Sequence, residues 1–157
     1  MADVADTGTA DTILALQRLV ARSTESIDAG DRAAFAAGWW DDSVWNLGPP
    51  FDEVAGIDAI RQAGEDVLWS VWSLTHHVVG SADITLTGQD TAIGRSRVIA
   101  VVVRAEDQLT YMVGARYDDT FTCRDGEWRI ARRDVMTSFL APMPGVEALS
   151  LPALIDP

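Results

Sequence analysis

The stretch from about residue 75 to residue 137 restricts the fold most. Strand-like runs at about 75–87, 91–103, 108–122 and 127–137 follow one another with almost nothing between them. The breaks are Gly88-Gln89-Asp90, Ala105-Glu106-Asp107 and Arg124-Asp125-Gly126. Asp-Gly supplies the positive φ angles that a tight hairpin turn needs. Connections this short join antiparallel neighbours, because a parallel pair requires a long crossover. The second half of the chain is therefore an antiparallel meander.

The first half reads as helix. Asp11 can cap a helix in which Ile13, Leu16, Val20 and Ile27 recur at a 3.6-residue period. That helix is expected to reach about Ala29 and to end at Gly30. Asp31 caps a second, short helix with Phe35 and Trp39 on one face, closed by Asp41 and Asp42. Residues 43–47 alternate as a strand, Gly48-Pro49-Pro50 breaks the chain, and a third helix is predicted over about 57–72. Helices first and strands later define an α+β class. A strongly curved sheet wrapped over the helices would leave a cone-shaped pocket. Residues 1–10 read as a frayed tail, 11–140 as one domain, and 141–157 as a C-terminal tail expected to cover a pocket mouth or a subunit contact.

The net charge of −12, with no lysine among the basic residues, argues against nucleic acid and anionic membrane as partners. No apolar run approaches the ~18 residues that a membrane helix requires. The acidic N-terminus does not read as a secretory signal. The single cysteine, Cys123, excludes an internal disulfide and fits a cytoplasmic location. Six tryptophans in a chain of 157 residues suggest aromatic walls around an apolar cavity as well as core packing.

Both histidines lie in Thr75-His76-His77. Neighbours on a strand face opposite ways, so the pair is poorly suited to hold one metal, and no metal site is expected. A single imidazole facing a cavity suits proton transfer near neutral pH. It needs a carboxylate to hold one ring N–H. Asp28 follows the buried stripe of the first helix. It sits near the C-terminus, where the helix dipole disfavours a negative charge. A locally unfavourable residue of this kind points to a functional role. Strand parity alone does not choose between His76 and His77, since a bulge would invert it.

Two stretches carry a resemblance. One is Ala33–Trp45, with Trp39-Trp40-Asp41-Asp42 and Trp45. The other is Gly114-Ala115-Arg116-Tyr117-Asp118-Asp119 followed by Arg124-Asp125-Gly126-Glu127-Trp128-Arg129-Ile130. Over roughly residues 10–145 the chain resembles the SnoaL-like branch of the NTF2-like superfamily. Within that branch it looks like the hexachlorocyclohexane dehydrochlorinases and the scytalone dehydratases. The resemblance implies a cone-shaped barrel, no cofactor, a small hydrophobic substrate and a homo-oligomer, a trimer before a dimer.

The resemblance also implies site residues. The dehydrochlorinases' catalytic Asp precedes the Trp-Trp pair by eleven residues, as Asp28 precedes Trp39. Their His follows Val-Leu-Trp by eight, as His77 follows Trp69. Their cavity Arg follows the hairpin Trp by five, as Arg133 follows Trp128. Ser23 stands where those enzymes have a lysine that assists chloride departure, which favours loss of water over loss of halide. Trp40, Trp45, Trp69 and Trp72, with Ser23, are expected at the substrate. The resulting expectation is a lyase in which His77 removes a proton, Asp28 supports it and Arg133 or another donor stabilises the departing group. An isomerase or cyclase in the same cavity, or a non-catalytic binding module, are the alternatives.

Overall fold

The computed structural model describes residues 7–80 and 82–146. Helices α1 (Thr7–Asp28) and α2 (Arg32–Ala37) come first, followed by strands β1 (Trp39–Asn46) and β2 (Glu53–Ala55) and helix α3 (Ile57–Ala63). A π-helical turn, Gly64–Trp69, continues α3. Strands β3 (Trp72–Val79), β4 (Asp83–Leu86), β5 (Thr91–Arg104), β6 (Thr110–Arg124) and β7 (Glu127–Pro142) complete the chain. The seven strands form one sheet in the order β2-β1-β7-β6-β5-β3, with β4 also paired to β5. All pairings are antiparallel except β1 with β7. The sheet curls over α1 without closing. This is the α+β cone expected from the order of helices and strands.

Several boundaries differ from the sequence reading. Trp39 belongs to β1 rather than to the second helix, because Gly38 ends α2 after two turns. The single strand expected over 75–87 is two strands, β3 and β4, separated at Gly80. The third helix is α-helical only to Ala63. Strand β7 runs on past residue 137 to Pro142, so residues 141 and 142 are sheet rather than tail. The expected cover from the C-terminal tail falls largely on residues 147–157, outside the described residues.

The end of α1 is fixed by its own chemistry. Gly30, at φ +65°, lets the chain reverse. The amide of Asp31 then donates to Ser26 O at 2.8 Å and that of Gly30 to Ile27 O at 3.0 Å, closing a Schellman motif. The Trp69 indole N–H adds a third bond, to Ile27 O at 3.1 Å. The π turn makes this reach feasible, since its extra residue rotates the following side chains relative to an α-helix. Gly64 admits the ring: a Cβ there would lie 2.9 Å from Trp69.

Phe35 sits at the centre of the aromatic core. It packs on Trp39, Trp45 and Trp69 at centroid separations of 5.9, 5.6 and 5.4 Å. Leu16, Val20, Ile60, Phe121 and Ile130 fill the space around this cluster and are fully buried. Contacts of this kind bind α1, α2 and the π turn to the inner face of the sheet and fix the last turn of α1 against β3.

Candidate active site

Rows of residues across the curled sheet build the site. On the inner face His77, Ala100, Val113 and Leu140 stand opposite one another along β3, β5, β6 and β7. On the outer face the next row is Val78, Ile99, Gly114 and Phe139. This settles the choice between the two histidines: His77 faces inward and His76 is exposed. The inner face, the end of α1, the π turn and the segment after β1 enclose a cavity of about 380 Å³. Its wall is mainly aliphatic and aromatic. Among the described residues, the polar side chains lining it are Thr75, His77, Tyr117 and Thr137. Pro49, Pro50 and Phe51 form part of the rim. Gly48, at φ +72°, turns the chain there, and a Cβ on it would lie 2.6 Å from the carbonyl oxygen of Val135.

Asp28 and His77 are in direct contact. The His77 ring Nδ1 lies 2.5 Å from Asp28 Oδ1, with the two side chains 9 % and 16 % exposed. The same carboxylate accepts the His77 backbone N–H on Oδ2 at 2.7 Å and the Thr75 hydroxyl on Oδ1 at 2.7 Å. Burial alone would raise the Asp28 pKa. The bonds from the His77 amide, the His77 ring and Thr75 outweigh it and hold the carboxyl below its ordinary range. An ionised carboxylate only accepts hydrogen bonds. Nδ1 therefore carries the proton in the neutral ring, which leaves the Nε2 lone pair free. The helix-dipole penalty on Asp28 is offset locally by these three donors.

Arg133 lies elsewhere than expected. It is 2 % exposed and does not line the cavity. Its Nε and Nη2 donate to Asp119 at 2.7 and 2.8 Å, and its Nη1 donates to Ser23 Oγ at 2.9 Å. Asp119 stands directly opposite Arg133 on β6, so the ion pair spans the two strands. The guanidinium then stacks behind the ring of Tyr117, 4.4 Å from its centroid. Burial lowers the guanidinium pKa, but the charge and hydrogen bonds of Asp119 more than restore it and the net shift is upward. Ser23 is corrected with it: the hydroxyl is buried, donates to Val20 O and accepts from Arg133, so it faces the ion pair and not the substrate space.

The tryptophans divide. Trp45 and Trp72 line the cavity. Trp40 does not: it lies outside, between the guanidinium groups of Arg124 and Arg129 at 4.8 and 4.5 Å, with its N–H directed to Thr122 O. A bulge in β1 between Trp39 and Val44, held by Ser43 Oγ, sets that orientation. Trp69 does not line the cavity either; it braces the carbonyl of Ile27 one residue before Asp28. The sequence reading missed Thr75, Tyr117 and Asp119. The first two sit two residues from His77 and Asp119 respectively, so strand alternation was a usable signal for the faces they share. Among the described residues no three His, Cys, Asp or Glu side chains converge as a metal site would require, and no helix is long and apolar enough to cross a membrane.

A cone of helices and curled sheet around an apolar cavity is the NTF2-like architecture. An NTF2-like superfamily protein from Salmonella enterica superposes with a TM-score of 0.75 at 14 % identity, covering 90 % of this chain and 99 % of that one. Residues 8–134 match the model of the SnoaL-like domain, and the chain belongs to that family. Gamma-hexachlorocyclohexane dehydrochlorinase of Sphingobium indicum is 22 % identical over 132 residues, 84 % of each chain. The crystal structure of a type 2 hexachlorocyclohexane dehydrochlorinase superposes with a TM-score of 0.84 at 20 % identity, covering 90 % of this chain and 95 % of that one. A scytalone dehydratase candidate from Novosphingobium aromaticivorans gives 0.76 at 21 %, covering 89 % and 93 %.

The buried ion pair makes a sharp stability prediction. Asp119→Ala strands the guanidinium of Arg133 away from water, which typically costs about 3–5 kcal/mol. Urea denaturation should show a midpoint lowered to that extent at unchanged slope. A loss below about 1 kcal/mol, the range of solvated pairs, would show that water reaches Arg133.

Proposed function

We propose that the protein is a cofactor-free lyase in which His77 removes a proton from a carbon next to a leaving group. The observation that carries this reading is the His77–Asp28 contact opening onto an apolar cavity. Nε2 is the base. Asp28 keeps the ring in the tautomer that exposes it and stabilises the imidazolium that forms. Thr75 and the His77 amide hold Asp28 in turn, so the base is positioned before substrate arrives. The dehydrochlorinases and dehydratase-like protein that the chain is similar to support elimination as the reaction type.

The cavity sets the substrate class. At about 380 Å³ it lies at the small end of ligand sites, which run ~300–1,000 Å³. An apolar wall with few polar groups suits a small hydrophobic molecule, of which a single-ring compound is the kind we propose. No cation faces the cavity among its lining residues. A departing chloride would find no full positive charge there. That favours loss of water from an alcohol, for which a neutral proton donor suffices.

Self-association belongs to the same reading. The outer row of Val78, Ile99 and Phe139 leaves these side chains 60 %, 41 % and 43 % exposed, contiguous across four strands. Adjacent exposed apolar side chains of this kind mark interaction surfaces. A homo-oligomer built on this face, a trimer before a dimer, is expected. Sedimentation velocity should show the assembly for the wild type and its loss in Ile99→Glu; a wild-type monomer at tens of micromolar would contradict it.

The catalytic assignment is tested on a panel of cyclic alcohols, hydroxy ketones and halocycloalkanes scored by formation of a new double bond. His77→Ala should lose ~10²–10⁴-fold or more in rate with its fold intact by circular dichroism, and Asp28→Asn should lose most activity because an amide cannot stabilise the imidazolium. Wild-type activity in His77→Ala would remove the base from the mechanism.

A further inference from the structure

We propose that the Tyr117 hydroxyl is the acid of the site, the group that donates its proton to the oxygen leaving the substrate. The inference rests on His77 being the base, and it fills the place that Arg133 does not occupy. Tyr117 lines the same cavity as His77 and is 7 % exposed. Among the described residues its hydroxyl has no hydrogen-bond partner. A buried tyrosine ordinarily finds one. A hydroxyl left free at a cavity wall is available to a ligand. Thr137, the other unengaged hydroxyl there, is exposed near the mouth.

The surroundings prepare this phenol. On the inner face it stands between Ala115 and Asp119, directly across from Val135 and Ser96. One ring face lies over the Arg133 guanidinium, whose fork is fixed by Asp119. Burial raises the phenol pKa and keeps it protonated, Asp119 and Asp28 add to that, and Arg133 opposes it. The result is a neutral donor with a cation at its back, which favours the negative charge that the ring gains as the proton departs. Arg133 is thus a positioning residue that acts through Tyr117. Its charge is kept out of the cavity and is paired with Asp119, so the guanidinium polarises the ring without binding anions itself.

The step balances. His77 Nε2 takes the proton from carbon, the electrons of that C–H bond form the C=C bond, and the C–O bond breaks. The departing oxygen takes the Tyr117 proton and leaves as water. Imidazolium and phenolate remain, and one proton passed from His77 to Tyr117 through solvent restores both.

Tyr117→Phe removes the hydroxyl and keeps the ring over Arg133. Cyclohexanone serves as the probe for the donor: difference infrared spectroscopy should show its carbonyl stretch lowered when bound to the wild type and to His77→Ala, and unshifted in Tyr117→Phe. An unshifted carbonyl in the wild type, an equal shift in Tyr117→Phe, or no binding to the wild type would each overturn the assignment. Kinetics separate this from the base. On 3-hydroxycyclohexanone, followed by enone absorbance, Tyr117→Phe should lose ~10²-fold or more in kcat, and less on gamma-hexachlorocyclohexane, since chloride leaves without a proton. Turnover lost in His77→Ala but intact in Tyr117→Phe overturns the acid and leaves the base. Turnover kept in His77→Ala overturns the base. Should the Phe variant fail to fold, 3-fluorotyrosine-substituted protein replaces it: its more acidic phenol should deepen the carbonyl shift, and an unchanged shift overturns the assignment.

Discussion

The Asp28 carboxylate ties the helical half of the molecule to the sheet at one point. It stands in the last turn of α1, where the helix dipole works against it. It is held there by the ring and amide of His77 and the hydroxyl of Thr75, all on β3. The Schellman turn at Gly30 and the indole of Trp69 fix the backbone that carries it. The aromatic cluster around Phe35 presses that turn onto the sheet. The same contacts that close the cone therefore also set the tautomer of His77. A site built this way is positioned by elements rather than by loops, which is the condition for holding a base steady against a small substrate.

Charge is distributed by depth. Among the described residues the cavity wall carries the His77 imidazole and the hydroxyls of Thr75, Tyr117 and Thr137, and the rest of it is mainly apolar. The strong charges sit one layer back: Asp28 behind His77, Arg133 and Asp119 behind Tyr117. In a medium of low polarisability each acts through the group in front of it. Under the proposed reading a substrate meets an imidazole and a phenol, with the carboxylates and the guanidinium held behind them. This arrangement suits a hydrophobic ligand that acquires polarity only as it reacts.

Much of this was legible in the chain. The Asp-Gly hairpin, the alternating runs and the leading helices define the class, and the resemblance to the dehydrochlorinases, through the spacing of Asp28 and His77 to the tryptophans, points to the residues now found in contact. What the sequence hid were the bulges. From the turn at Asp125-Gly126 the pairing runs in step as far as Phe121 and Ile130, and there the register shifts. Ala131 is the extra residue. Without it Asp119 would face Arg132, and Arg133 would point to solvent. A second shift between Gly114 and Ala115, and a third in β1 between Trp39 and Val44, likewise decide which side chains face inward. Each bulge inverts face parity downstream, and nothing in the local composition announces where it falls. Trp40 and Arg133 were expected at the cavity from the resemblance, through spacings along the chain that carry no face parity, and the bulges turn Trp40 outward and Arg133 onto Asp119 instead.

The central claim is that Asp28 fixes His77 as a base with a free Nε2. Nitrogen-15 NMR of the histidine rings, with proton coupling to assign each nitrogen, tests it without any substrate. In the neutral form of the His77 ring the expected proton is on Nδ1, shifted far downfield by the 2.5 Å contact with Asp28, with Nε2 unprotonated. Asp28→Asn should abolish that downfield signal. A His77 ring protonated on Nε2 with a bare Nδ1, or a spectrum unchanged by Asp28→Asn, would contradict the account.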